Sequence, residues 1–240
     1  MLQISIQDDL NKLSKSLKDV QQKQIPFAAA IALTRTARLV KEAEREEMAD
    51  VFDRPTKFTL NSLYVKAATK HKLEALVWLK DWAPKGTAAA RYLLPQIQGG
   101  QRKLKGFEVL LNRRGILPDG YYTVPGKSAK LDRHGNISKG QLNQILSYSR
   151  SQRDNAQNTK LETGRRSTKA RFIVFEEREG KPGGIWQMKY GGLLPVLIFV
   201  KRPSFKKRFD FEKVADKTQK LVFTREFYKA YEYAQRTARA

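Results

Sequence analysis

The stretch IPFAAAIALTRTARLVKEAEREEMADVF, residues 25–52, determines the first long element of the fold. Its apolar residues recur every three or four positions, as they do on one face of an α-helix. This apolar stripe comprises Ala29, Leu33, Ala37, Val40, Ala43 and Met48. Pro26 suits a first helical turn, and Asp53-Arg54-Pro55 suits a helix end. The pattern predicts one helix of roughly 25 residues, about twice the usual length, whose alanines let a neighbour approach closely.

The segments on either side of this helix predict an α+β fold. Residues 5–20 have the spacing of a short helix, whereas apolar residues alternate at 56–66 and 72–80, which is typical of strands. Further strands are predicted at 170–177, 184–190 and 194–200, with a hairpin turn at 178–183 and a central position for the last strand. A long helix follows from residue 211. We therefore expect an antiparallel β-sheet packed with long N- and C-terminal helices.

The middle of the chain has a different composition. Gly, Gln, Asn, Ser and Arg are frequent between residues 86 and 169, and only two short helices are predicted, at 103–112 and 138–149. Ser138 and Gln141 fit a capping box at the start of the second helix. We expect a basic, loop-rich insertion with weak packing of its own. Its residues 115–169 should be extended or mobile in the isolated subunit and ordered by partners.

These patterns predict three regions. Residues 1–85 supply the N-terminal helices and the first strands of the core. Residues 86–169 form the basic insertion or arm. Residues 170–240 complete the core with a hairpin, a central strand and the C-terminal helix.

Charge is the strongest signal in the composition. The 240 residues include 47 Lys and Arg against 24 Asp and Glu, a net charge of +23. Such a chain attracts polyanions, so DNA, RNA and acidic membranes are the physical candidates for partners. The absence of cysteine excludes disulfides and thiolate metal sites and favours cytosolic synthesis. The N-terminus shows no signal-peptide pattern and no apolar run reaches about 20 residues, so we expect a soluble protein without a membrane partner.

Gly126-Lys127-Ser128 resembles the end of a phosphate-binding loop. That loop requires G-x-x-x-x-G-K-[ST] between a strand and a helix, whereas five residues separate Gly120 from Gly126. Pro125 also removes one of the backbone N–H donors that would surround a phosphate. We expect an exposed basic turn and no nucleotide cofactor.

Residues 131–142 resemble a calcium loop only in part. Such a loop needs oxygen ligands at positions 1, 3, 5 and 12 and a glycine at position 6. Asp132 is instead followed by the basic Arg133 and by His134, with Gly135 too early in the loop. We expect a turn at this point and no metal ion.

Asp119, Glu179 and Lys181 suggest a nuclease as one hypothesis. In such an enzyme two carboxylates hold Mg²⁺ and a lysine stabilises the developing charge. Glu179 and Lys181 fall in the predicted hairpin turn, where the geometry of a catalytic site is poorly held. The sequence therefore favours a protein without catalytic residues, that is, not an enzyme.

Basic residues are densest in the middle of the chain, where residues 101–170 hold 15 Lys and Arg against 5 Asp and Glu. None of these clusters has the format of a zinc finger, an RRM or a bZIP region, so sequence-independent contact with phosphates is the expected mode. The candidates to face DNA or a partner protein are Arg102, Lys103, Lys105, Arg113, Arg114, Lys127, Lys130, Arg133, Arg165, Arg166 and Lys169.

Parts of the sequence resemble a family of viral proteins. IPFAAAIALTRTARLVKEAEREEM, residues 25–48, resembles the start of the tail-completion proteins of tailed bacteriophages, the minor tail protein Z-like group. Those proteins begin with a short helix, a proline and an alanine-rich helix containing a step like Ala32-Leu33-Thr34-Arg35. The strand-then-helix order from LPVLIFVKRPSF, residues 194–205, is similar as well, and residues 113–147 resemble a segment of phage structural proteins.

The resemblance implies a non-enzymatic part of the virion. Proteins of this family complete the tail and join it to the head at the neck, as rings, often hexameric, around the channel that DNA crosses. The implied partners are further copies of the chain, the connector or adaptor, the tail terminator and tail tube proteins, and packaged DNA. The implied location is the virion, after assembly in the cytoplasm of the bacterial host.

Two alternatives stay open at this point. The chain could be a stand-alone nucleic-acid-binding protein without sequence preference, or the metal-dependent nuclease outlined above. A defined ring without Mg²⁺-dependent cleavage favours the structural protein, and a monomer with salt-sensitive DNA binding favours the first alternative. Nicking that disappears in Glu179→Ala favours the second.

Overall fold

The fold is α+β, as predicted, with long N- and C-terminal helices and antiparallel sheets. The structure is a computed structural model that describes residues 2–5, 19–84, 86–158, 171–178, 182–189, 191–201 and 204–237. The chain forms two compact units. Unit 1 comprises residues 1–99 and 206–240, and unit 2 comprises residues 100–205.

The elements follow one another along the chain. In order they are β1 (Leu2–Ser5), α1 (Asp19–Val51), α2 (Lys57–Leu60), β2 (Leu63–Lys66), β3 (Glu74–Leu79), α3 (Ala89–Gln98), β4 (Gly100–Gln101), α4 (Gly106–Arg113), β5 (Tyr121–Pro125), α5 (Lys139–Tyr148), a 3₁₀ turn (Asn155–Gln157), β6 (Arg171–Phe175), β7 (Gly184–Lys189), β8 (Gly192–Lys201), β9 (Ser204–Phe205) and α6 (Phe211–Thr237). Unit 1 contains a sheet of order β1-β3-β2, and unit 2 contains a sheet of order β5-β8-β7-β6.

Helices α1 and α6 pack against each other as an antiparallel pair through small side chains. One cluster joins the start of α1 to the end of α6 and comprises Ile25, Ala28, Ala29, Ala32, Phe227, Ala230 and Ala234. A second joins the rest of α1 and the start of α6 to β2 and β3, with Leu33, Ala37, Val40, Met48, Leu63, Val77, Phe211 and Ala215 among its members. The neighbour that approaches the alanine stripe is thus a helix of the same chain.

Helix α1 begins earlier than predicted. It starts at Asp19, so Pro26 lies inside the helix rather than in its first turn. Proline has no N–H to complete the helical ladder, but the burial of Ile25 and Ala28 in the contact with α6 stabilises this turn. Of the helix predicted at 5–20, residues 6–18 lie outside the described residues, and Ser5 ends a strand that pairs with β3.

The first predicted strand, at 56–66, was wrong in its first half. Residues 57–60 form the short helix α2, which Thr56 caps by accepting a hydrogen bond from the Thr59 N–H at 3.1 Å. Only Leu63–Lys66 form a strand, β2, antiparallel to β3. A threonine in the N-cap position favours a helical start, and the alternating pattern did not reveal it. The strand predicted at 72–80 is confirmed as β3.

Unit 2 has a hydrophobic core of its own, contrary to the weak packing expected of residues 86–169. The core lies between α4, α5 and the four-stranded sheet, and its buried members are Leu111, Leu117, Ile145, Leu146, Phe172, Ile185, Val196, Leu197 and Phe199. Strands β6 and β7 form the predicted hairpin, and β8 lies inside the sheet as predicted. The two short helices predicted at 103–112 and 138–149 are confirmed as α4 and α5. Residues 121–125, expected to be extended or mobile, form strand β5, which is paired with β8.

The observed boundaries therefore replace the predicted ones at 85/86 and 169/170. The strands after residue 170 cover the helices of the middle region, so the two belong to one core. Strand β4 pairs with β9, with Gly100 opposite Phe205, so the chain enters and leaves unit 2 through neighbouring strands. Unit 2 is an insertion in the sequence of unit 1, as expected, but a longer and folded one.

Candidate nucleic-acid interface

Arg102, the first of the candidate basic residues, is bound within unit 2. Its Nη1 and Nη2 atoms donate to the two carboxylate oxygens of Glu108 at 2.6 and 2.7 Å. Its guanidinium also lies 4.7 Å from the centroid of the Tyr122 ring, within cation–π range. Only 14% of the Arg102 side chain is exposed. This arginine stabilises the fold of unit 2 and is withdrawn from contact with DNA, which corrects its assignment as an interface residue.

Glu108 is fully buried and accepts three further hydrogen bonds. They come from the Lys105 N–H at 2.6 Å and from the N–H and hydroxyl of Thr123 at 2.9 and 2.8 Å. Burial by itself raises the pKa of Glu108, but the hydrogen bonds from Arg102, Lys105 and Thr123 together outweigh it and leave the pKa below the ordinary value. Glu108 thus remains a carboxylate that links the segment after β4, the start of α4 and strand β5.

The turn after β5 explains the Gly126-Lys127-Ser128 motif. The N–H groups of Gly126 and Ser128 donate to the carbonyl oxygens of Val196 and Pro195, both at 2.9 Å, and so extend the pairing of β5 with β8. A Cβ atom on Gly126 would collide with the backbone carbonyl of Pro195. The glycine serves close strand packing, and the Lys127 side chain is exposed beside it.

We expect Gly126→Ala to lower the free energy of unfolding by about 1 to 3 kcal/mol, because the added methyl group must displace the backbone of β8. Urea unfolding monitored by tryptophan fluorescence measures the change. Gly140→Ala is the matched control, since a Cβ at this position in α5 meets no atom within 4 Å, and alanine favours a helix. Equal effects of the two substitutions would contradict this role of Gly126.

The segment that resembles a calcium loop, residues 131–142, contains a turn that the Asp132 side chain stabilises by hydrogen bonds. The Asp132 carboxylate accepts from the N–H groups of His134 and Asn136 at 2.8 and 2.9 Å. The hydrogen bond from Asn136 is the main cause that holds the pKa of Asp132 below its ordinary value. Gly135, with φ of 77°, supplies the left-handed residue of the turn. Ser138 caps α5 by accepting from the Gln141 N–H at 3.4 Å, while the Gln141 side chain accepts from the Lys130 N–H at 2.6 Å.

Seven of the candidate basic residues lie exposed on unit 2. They are Lys103, Lys105, Arg113, Arg114, Lys127, Lys130 and Arg133. None of them forms an ion pair with a carboxylate among the described residues, where Arg102–Glu108 is the one ion pair within unit 2. Lys127, Lys130 and Arg133 follow one another in the connection between β5 and α5, here called the basic turn (residues 126–138). Arg165, Arg166 and Lys169 lie outside the described residues.

Comparison of the chain with protein-family models, with curated proteins and with solved structures found no match. The resemblance to phage tail-completion proteins therefore stays a prediction.

The residues of the nuclease hypothesis are only partly described. Asp119 is exposed and accepts from Asn112 Nδ2 at 2.9 Å, in the loop between α4 and β5. Glu179 and Lys181 lie outside the described residues. Within the described ranges, no group of three or more His, Asp or Glu side chains is placed to hold a metal ion, and no helix is both long and apolar enough to cross a bilayer.

Sequence analysis missed three features that the structure reveals. Glu108 and Glu44 are both fully buried, and Glu44 occurs four residues after Val40 and four before Met48, on the apolar stripe itself. That spacing could have identified Glu44. The third feature is a group of aromatic side chains on unit 1, which includes Trp82 with 72% of its surface exposed.

Proposed function

We propose that this protein is a structural component of the virion of a tailed bacteriophage. In this proposal it is a ring subunit at the junction of head and tail that completes the tail and contacts the DNA in the channel. It acts by contact rather than by turnover, and its partners are copies of itself and the neighbouring connector and tail proteins. The family resemblance at residues 25–48 and 194–205 supports this assignment.

The observation that carries the proposal is the set of seven exposed basic side chains on unit 2 that form no ion pair with a carboxylate of the described residues. Exposed Lys and Arg contact phosphate oxygens without reading bases, as a channel that passes any DNA sequence requires. Such contacts release counterions, so the affinity falls steeply with salt. The antiparallel helix pair α1–α6 supplies a rigid body of the kind that a ring subunit needs.

The basic turn provides a sharp test of phosphate binding. We expect replacement of Lys127, Lys130 and Arg133 by glutamine to reduce the slope of log K against log salt for duplex DNA by up to about 2.7, about 0.9 for each phosphate that is no longer neutralised. Fluorescence anisotropy of a labelled duplex at several salt concentrations measures this slope.

The matched control removes the same charge elsewhere. Lys213, Lys217 and Lys220 are exposed on α6, and their replacement by glutamine should leave most of the slope intact. Equal slopes in both variants would place the DNA-binding surface outside the basic turn. Light scattering and negative-stain microscopy test the ring directly, and a monomer at all concentrations would favour the stand-alone nucleic-acid-binding protein.

A further inference from the structure

Unit 1 has an aromatic cleft that the proposed function does not use. The cleft has a volume of about 350 Å³ and is lined by Tyr64, Trp78, Lys80, Asp81, Trp82 and Pro84. This volume lies within the range of sites that bind small organic groups. The three aromatic side chains lie within about 20 residues of sequence, so one hairpin and the segment after it build most of the site.

The sheet geometry places the aromatic rings on the outer face. Tyr64 of β2 lies opposite Trp78 of β3, and their ring centroids are 4.6 Å apart with an interplanar angle of 53°. The neighbouring Leu63 and Val77 are buried in the core of unit 1, on the other face of the sheet. Tyr64 is 48% exposed and Trp82 72% exposed. The rings of Tyr64 and Trp82 are therefore accessible from solvent, and that of Trp78 is partly exposed beside Tyr64.

The cleft lining contains one cation and one anion, Lys80 and Asp81. Lys66 is also exposed, two residues after Tyr64 on β2, and so lies on the same face of the sheet. Residues 57–82 contain five lysines against two acidic residues, Glu74 and Asp81, and Glu74 is paired with Lys72 at 3.1 Å. Lys80 donates one hydrogen bond to the Asn61 carbonyl at 2.9 Å. A lysine has three donors, so Lys80 can also bind a phosphate at the rim of the cleft.

We propose that the aromatic cleft binds unpaired bases of a single-stranded nucleic acid. Aromatic side chains stack on the faces of any base, while lysines neutralise the backbone phosphates. Trp82, Tyr64 and Trp78 supply the stacking surfaces, and Lys80 supplies the phosphate contact. Charge complementarity supports this occupant, because the chain carries a net charge of +23 and Lys80 lies in the cleft lining, where it can meet a backbone phosphate. The proposal is independent of duplex binding at the basic turn.

Substitution of Trp82 tests the stacking. We expect Trp82→Ala to weaken the binding of a labelled oligo(dT) by about fivefold to a hundredfold, with the salt slope unchanged because the same phosphates stay neutralised. Lys80→Gln should instead reduce the slope by about 0.7. Tyr228→Ala is the matched control, since Tyr228 is 62% exposed on α6 and lies outside the cleft, and it should leave the affinity unchanged.

Binding of heparin and of duplex DNA distinguishes the contribution of base stacking from that of charge. Heparin is a polyanion without bases, so its affinity should be the same for the intact protein and Trp82→Ala, as should the affinity for duplex DNA. Unchanged oligo(dT) binding in Trp82→Ala would overturn the proposal, as would an equal loss of heparin binding. A loss of self-association without a loss of oligo(dT) binding would assign the cleft to a second copy of the chain and also overturn it.

Discussion

Replacing Arg102 with alanine should lower the free energy of unfolding of unit 2 by about 3 to 5 kcal/mol. The substitution removes two short hydrogen bonds and the countercharge of Glu108, whose side chain has no exposed surface. The carboxylate would keep only the donors of Lys105 and Thr123. An uncompensated charge in the interior is among the most destabilising single changes in a protein.

Urea unfolding followed through Trp186, which lies in β7 of unit 2, measures this decrease in stability. Arg102→Lys keeps the charge without the paired donors and should fall between the intact protein and Arg102→Ala. Arg113→Ala removes an exposed cation and should change stability by about 0.5 kcal/mol or less. The deficit of Arg102→Ala should shrink in acid, where protonation neutralises Glu108. A deficit independent of pH, or one no larger than that of Arg113→Ala, would contradict the role assigned to this pair.

Glu44→Gln should stabilise unit 1 at neutral and alkaline pH. Both carboxyl oxygens of Glu44 lack a hydrogen-bond partner among the described residues. Burial, with smaller contributions from the charges of Glu47 and Asp210, raises the pKa of Glu44 to about 9. The folded state therefore binds a proton that the unfolded state releases, and its stability falls as the pH rises from the ordinary glutamate pKa towards 9. Glutamine mimics the neutral acid and does not titrate.

The free-energy gain of Glu44→Gln should be larger at pH 8 than at pH 5 by up to about 4 kcal/mol, at about 1.4 kcal/mol for each pKa unit. Urea unfolding through Trp78 and Trp82, in a Trp186→Phe background, measures it across this pH range. Glu46→Gln, at an exposed position of the same helix, is the matched control. If the intact protein and Glu44→Gln lose stability in parallel between pH 5 and pH 8, Glu44 is not protonated in the folded state.

Local patterns predicted the long elements of this fold well. The helical stripe of residues 25–52 and the alternation at 72–80 are strong periodic signals, and both are present in the structure. The errors arise at element boundaries, where one local hydrogen bond or one distant packing contact outweighs the sequence pattern. The Thr56 side chain caps a helical turn where a strand was predicted to start. Packing against α6 stabilises α1 on both sides of Pro26, so the helix continues past this proline.

The core of unit 2 could not be predicted in the same way. Leu111, Leu117 and Ile145 occur in short segments with weak periodicity, and their partners Phe172, Val196 and Phe199 are far away in the sequence. The apolar run at 194–200 predicted a central strand, but local periodicity did not indicate that α4 and α5 pack against its sheet. Similarly, the exposed lysines of the basic turn could be found from composition, whereas the withdrawal of Arg102 depends on Glu108, a residue with no distinguishing motif.

Glu108 also limits the addition of a further strand to one edge of the sheet in unit 2. Strand β5 is an outer strand of that sheet. Its Thr123 N–H would otherwise be open to pairing with a strand of another chain, but it already donates a hydrogen bond to the Glu108 carboxylate. An incoming chain could pair at this position only after breaking a buried interaction that also involves Arg102. The Glu108 carboxylate thus disfavours polymerisation through edge-to-edge strand pairing at β5.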